Sequence, residues 1–138
     1  MPEGMPYCNK KGGRLGSSGV SSDDRDVTAA AKEGKYRAQL ALNMFVYACK
    51  KYVGSYMAAL GGLDVIVFTA GVGENTPHIR AGILKDMEFF GIEIDEETNN
   101  YRNDGAIHVI SKDSSKVKVL VIPTNEELVI ARETAALL

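Results

Sequence analysis

Asp64-Val65-Ile66-Val67-Phe68-Thr69-Ala70-Gly71-Val72-Gly73-Glu74-Asn75-Thr76-Pro77 decides the fold class. Val65 to Phe68 is an unbroken apolar run of strand length, the pattern of a strand covered on both faces, so a central parallel strand is expected from Asp64 to Thr69. Ala70 to Asn75 reads as the turn that follows. Thr76 and Pro77 then supply a cap and a first-turn proline for a helix running to about Phe89, with Gly91 as its stop.

Upstream, Tyr36 to Leu60 repeats apolar residues every three or four positions through Leu42, Phe45, Cys49, Tyr52, Tyr56 and Leu60, and Gly61-Gly62 ends the pattern. One long helix with a broad apolar face follows, wide enough to pack a second subunit as well as its own sheet. Before it, Ser21-Ser22-Asp23-Asp24-Arg25-Asp26 places capping residues ahead of a short helix over Val27 to Glu33, ended by Gly34. Met1 to Gly19, rich in Gly, Pro, Ser and Lys, has no apolar period and is expected to be loop or extended chain.

Downstream, a short extended piece is expected at Ile92 to Ile94, a helical turn from Asp95, and strands at Ile107 to Ile110 and Val117 to Ile122 around turn residues Ser111 to Ser115. Thr124-Asn125-Glu126-Glu127 has the spacing of a capping box opening the last helix. The order is α/β, yet two or three strong strands make a thin sheet for 138 residues, so further strands are expected upstream of Met1.

Composition narrows the function. A formal net charge of −2 gives no reason to expect a nucleic-acid partner. The charge is uneven, since residues 1–62 carry 9 basic and 5 acidic side chains and residues 63–138 carry 7 and 13. Cys8 and Cys49 can build neither a disulfide framework nor a four-cysteine zinc site, which fits a cytoplasmic address. No apolar run approaches the ~20 residues that span a bilayer.

Three places could carry chemistry. Gly71-Val72-Gly73-Glu74-Asn75 sits where a backbone can approach a ligand closely, although glycines serve plain strand-to-helix turns equally well. It is neither a dinucleotide fingerprint nor a Walker loop, because the third glycine and the Gly-Lys-Ser/Thr are missing. Asp23 can accept from ribose hydroxyls and Arg25 can stack on a base or pair with phosphate, while the same residues also make a good helix start. If Glu127 closes the capping box, Glu126 is left to face a site at the end of the preceding strand, where a carboxylate can hold Mg²⁺ through water. His78 and His108 have no acid or nucleophile at a telling spacing and are assigned structural roles.

Together, Asn9-Lys10-Lys11-Gly12, Ser21 to Asp26, Phe68 to Asn75 and Ile122-Pro123-Thr124-Asn125-Glu126-Glu127 resemble the acetate kinase family, in order and spacing, from about Tyr7 to Leu138. Met1 to Pro6 falls outside the likeness as an unmatched leader. The resemblance implies a partial ribonuclease-H-like domain of the actin and sugar-kinase superfamily, spanning residues 1–138 and corresponding to the C-terminal third of such an enzyme. It implies that Asp23, Asp24 and Arg25 contact adenosine, that Gly71, Val72, Gly73, Glu74 and Asn75 form the turn beside the nucleotide, and that Glu126 is the magnesium-site carboxylate. Two positions depart from the family pattern: Asp24 stands where an uncharged residue is usual, and Arg14 where an apolar one is.

The activity so implied is phosphoryl transfer from ATP to acetate, giving ADP and acetyl phosphate, in a homodimer that uses ATP and Mg²⁺. Propionate and butyrate kinases look similar over this segment. The family's phosphate-binding loop, acyl-phosphate-positioning histidine and arginines, and catalytic aspartate belong upstream, so no catalytic residue is assigned in this chain. The alternative expectation is a truncated product that binds nucleotide or dimerises without catalysing anything.

Overall fold

The computed structural model describes residues 11–101 and 104–137. Cys8 and the Asn9-Lys10 half of the first motif lie outside them. The chain resolves into two compact units that divide after Gly62, where its charge also changes sign.

In the first unit, α1 (Gly13–Ser18), α2 (Asp24–Lys32) and α3 (Tyr36–Leu60) follow one another. The loop expected through Gly19 is therefore partly helix. Its stability comes from afar: Arg37, twenty residues on, donates from Nε to the Ser17 carbonyl at 3.0 Å and from Nη2 to the Gly16 carbonyl at 2.8 Å. A guanidinium on the last carbonyls of a helix satisfies groups that have no intrahelical partner, and local composition cannot reveal it. Helix α2 starts at Asp24, three residues before the expected Val27, because Asp23 takes the cap position and accepts from the Arg25 amide. Val27, Ala30, Ala38, Ala41 and Leu42 form the buried core where α1 and α2 meet the first turns of α3.

Helix α3 closes as its Gly-Gly sequence predicts. Gly61 adopts a left-handed φ of 73°, and the Gly62 amide donates back to the Met57 carbonyl. The expected apolar stripe is only half used, however. Leu42 is buried and Phe45 and Cys49 are partly so, while Tyr52, Tyr56 and Leu60 remain more than 60% exposed. Periodicity identifies a face but not what covers it.

The second unit holds β1 (Val65–Phe68), α4 (Ala70–Asn75), α5 (Pro77–Leu84), a 3₁₀ turn (Glu88–Phe90), α6 (Glu96–Asn99), β2 (His108–Val109), β3 (Lys118–Val121) and α7 (Glu126–Ala136). The sheet order is β1-β3-β2, with β1 parallel and β2 antiparallel to β3. The central strand is thus β3, and β1, expected at the centre, lies at the edge among the described residues. Val65 and Val67 on one of its faces are 43% and 47% exposed. A strand reads as doubly covered whenever all its residues are apolar, whether or not the covering elements are present. The opposite face, with Val119 and Val121, joins Ile79, Ile83, Leu84, Met87, Ile92, Ile110 and Val117 in the buried core.

Three further boundaries differ from expectation. The turn at residues 70–75 is a short helix. Helix α5 stops at Leu84 instead of Phe89, because Lys85 turns extended and Asp86 left-handed. Met87 stays buried beyond that break and keeps the apolar period going, which hid it. The cap of α7 is Asn125, whose side chain accepts from the Leu128 amide, and not Thr124. The helical turn expected from Asp95 is present as α6, and Asp95 caps it by accepting from the Thr98 amide.

Replacing fully buried Ile110 by alanine is expected to cost about 2–5 kcal/mol, whereas Val67→Ala at the half-exposed edge should stay within roughly 1 kcal/mol. Urea unfolding of the two variants measures the difference.

Candidate functional site

The turn after β1 is built by the parallel pairing of β1 with β3, which sends both strand ends to one edge of the sheet. The Ile122 amide donates to the Phe68 carbonyl at 2.9 Å, so the loops leaving Phe68 and Ile122 start side by side. Thr124 ties them together. Its amide and hydroxyl both donate to Glu74 Oε1, each at 2.8 Å, and its oxygen accepts from the Ala70 amide at 2.9 Å. A hydroxyl has one proton and two lone pairs. With the proton on Glu74, the remaining lone pair takes the Thr69 hydroxyl at 3.1 Å, and Thr124 is saturated. That is why the capping box fails and the cap passes to Asn125.

Ala70 adopts φ 59°, a left-handed conformation that L residues avoid at a cost of roughly 1–2 kcal/mol. The Thr124 contact to its amide holds it there. The two glycines of α4 serve different ends. A Cβ on Gly73 would lie 3.2 Å from the Phe68 carbonyl carbon, so this glycine lets α4 fold back against its own strand. A Cβ on Gly71 would meet nothing within 4 Å, and the backbone there is open to solvent. Asn75 donates to the Gly71 carbonyl.

Beneath the turn lies a residue that sequence reading missed. Arg80 is 1% exposed, and its guanidinium donates to the carbonyls of Gly73 at 2.7 Å and Glu74 at 2.9 Å and to both oxygens of Asn99. It makes no ion pair among the described residues. Burial pushes its pKa below the ordinary arginine value, with Tyr101, 5.3 Å from the guanidinium to the ring centre, acting the other way. The Tyr101 hydroxyl donates to the Glu74 carbonyl as well. An arginine four residues into an amphipathic helix normally reads as solvated, and only its place on the same stripe as Ile79 and Ile83 could have signalled burial.

Glu126 opens α7, exposed and without a side-chain partner among the described residues. No group of three metal-ligating side chains occurs among the described residues. One free carboxylate suits a hydrated Mg²⁺ whose other ligands are water and phosphate oxygens, but not a protein-built cage.

In the first unit, Asp23 and Arg25 form a two-pronged surface pair. Asp23 Oδ1 accepts from Arg25 Nε at 3.1 Å and Oδ2 accepts from Nη2 at 2.7 Å. These hydrogen bonds lower the Asp23 pKa to about 2. Asp24 turns the other way, its carboxylate 2.7 Å from Arg14 Nη1. The histidines behave as expected of structural residues: His108 stacks on Tyr101 and bonds Asp104 at 2.7 Å, and His78 is an exposed first-turn residue. Burial raises the Cys49 thiol pKa, which argues against a nucleophile there. A separate cleft of about 590 Å³ in the second unit, lined by Lys85, Glu93, Asp95 and Lys112 among others, shares no residue with the turn or Glu126.

A family model described as the acetokinase family matches residues 5–132. The chain belongs to that family. It is 56% identical over 130 residues to an acetate kinase of Caldicellulosiruptor saccharolyticus and 58% identical over 131 residues to one of Acetivibrio thermocellus, covering 94% and 95% of this chain but 33% and 32% of those proteins. A crystal structure of Porphyromonas gingivalis acetate kinase superposes with TM-score 0.86 at 52% identity, over 96% of this chain and 33% of that one. A propionate kinase from Francisella tularensis gives TM-score 0.82 at 38% identity, over 96% and 33%. The chain therefore spans about a third of the length of the kinases it matches, and its α/β fold is part of the actin and sugar-kinase fold of those enzymes. No helix among the described residues is long and apolar enough to cross a membrane.

Arg80→Met strips charged donors from several buried carbonyls and should cost about 3 kcal/mol or more, read by thermal or urea unfolding of the second unit. The Asp23 cap has a folded pKa below the unfolded carboxylate value near 4. Its stabilisation is thus complete above about pH 4 and should vanish as pH falls through about 2, and Asp23→Asn should remove that acid-dependent loss of helix signal in circular dichroism.

Proposed function

We propose that this chain is the C-terminal, nucleotide-holding part of an acetate kinase, which with the remaining two thirds of such an enzyme transfers the γ-phosphoryl of ATP to acetate. The observation that carries the reading is the acetokinase match over residues 5–132, which contains every candidate site residue. In this reading the Asp23 and Arg25 side chains bind adenosine. Both reach solvent, and Arg25 can leave its carboxylate fork to stack on a base at little desolvation cost. The backbone of Gly71 to Asn75 lies against the nucleotide, open at Gly71 and fixed from below by Arg80 and from the side by Glu74 and Thr124. Glu126 would be the residue that holds Mg²⁺ through water, and the ion would supply neutralisation of phosphate charge.

Phosphoryl transfer rests on positioning and charge neutralisation, and the groups assigned here supply only the holding part. The chain alone is accordingly inactive. The acid is acetate by the larger likeness, with propionate supported by the Francisella structure. The enzyme is a cytoplasmic homodimer in this proposal, and the exposed apolar face of α3 bearing Tyr52, Tyr56 and Leu60 is its pairing surface.

Calorimetry with ATP should show weak binding to the chain. Arg25→Ala should weaken it at least about fivefold, the loss of one charged contact. Gly71→Ala should weaken it without loss of stability, because the added Cβ meets nothing within 4 Å. Acetyl phosphate should form only when the preceding two thirds of a relative is added. Unchanged affinity in both variants would refute the nucleotide assignment.

A further inference from the structure

Among Asp23, Asp24 and Arg25, Asp24 is the one whose side chain is turned inward. Its carboxylate meets Arg14 Nη1 at 2.7 Å, and the two side chains are 11% and 16% exposed, against 89% for Arg25. The same Arg14 guanidinium lies 4.6 Å from the centre of the Phe45 ring. One ion pair thus joins α1, through Arg14, to the first residue of α2, on a floor contributed by α3. Successive residues of a helix point about 100° apart. Anchoring Asp24 inward therefore fixes the direction in which Arg25 leaves the helix, and the hydrogen bonds from Arg25 hold the cap Asp23 beside it.

We propose that Arg14 and Asp24 are the positioning pair of the Asp23–Arg25 fork, and that Asp24 acts through Arg14 without touching the ligand. The proposal rests on the nucleotide reading given above and deepens it by separating the residues that touch the nucleoside from the one that aims them. A shielded ion pair has a distinctive mutational signature. Removing one partner strands the other's charge away from water, whereas replacing both by apolar residues of similar size is close to neutral. A direct ligand contact has the opposite signature, because no second substitution can restore it.

The test is a double-mutant cycle of Arg14→Met and Asp24→Met, read by ATP affinity, by melting temperature and by the amide NMR shifts of Asp23 and Arg25 without ligand. Each single variant should bind ATP about tenfold more weakly, and the double variant should return to within about threefold of the parent. The Asp23 and Arg25 amide signals should move in the single variants and return in the double. A double variant as weak as Asp24→Met alone would overturn the proposal, as would single variants that bind like the parent, or a double that regains its melting temperature but not its affinity. Asp24→Asn, which keeps size and a neutral acceptor for Arg14, replaces Asp24→Met if that variant fails to fold. If the parent chain binds no ATP, the nucleotide reading fails, and the amide shifts still decide whether the pair orients the fork.

Discussion

The candidate site of the second unit depends on one pairing, β1 parallel to β3. Parallel neighbours deliver their C-terminal ends to the same edge of a sheet, which is where open α/β folds gather their binding loops. Here that edge receives the turn from Ala70 to Asn75 and the segment from Pro123 to Glu126, and Thr124 with Glu74 fastens one to the other. The left-handed Ala70, the tight seat of Gly73 on Phe68 and the buried Arg80 all serve to hold the backbone in this shape. Strain at such a junction persists only when its surroundings over-determine it, and the hydrogen bonds of Thr124, Arg80 and Asn75 do so here.

Much of this was legible from residue order. The apolar run, the Gly-bearing segment, the Thr-Pro helix start, the long helix with its Gly-Gly stop and the Asp95 turn all occur where local chemistry puts them. What was not legible involved partners distant in sequence. Arg37 capping α1, Arg80 under the turn and Thr124 claimed by Glu74 each link residues 20 to 50 positions apart or act through burial. A capping box can be read from four residues, but its failure cannot, because the competitor for the threonine hydroxyl lies fifty residues upstream. The central place expected of β1 failed for a related reason: an apolar strand announces that it wants covering and says nothing of what supplies the cover.

The two departures from the family pattern, Arg14 and Asp24, illustrate the same point constructively. Taken singly each is an anomaly, a charge where neutrality is usual. In the structure they are each other's partner, and their ion pair joins α1 to α2. Each unit carries its own core, Val27 to Leu42 in one and Ile79 to Val121 in the other. The exposed apolar residues of α3, β1 and α7 mark what lies outside those cores.

The most direct measurement is an amide-resolved NMR titration of the chain with ADP. Shifts concentrated in Ser22 to Asp26 and in Thr69 to Asn75 are the result expected of a nucleotide-holding segment. Shifts scattered over the exposed face of α3, or confined to the acidic cleft around Glu93 and Asp95, would contradict it.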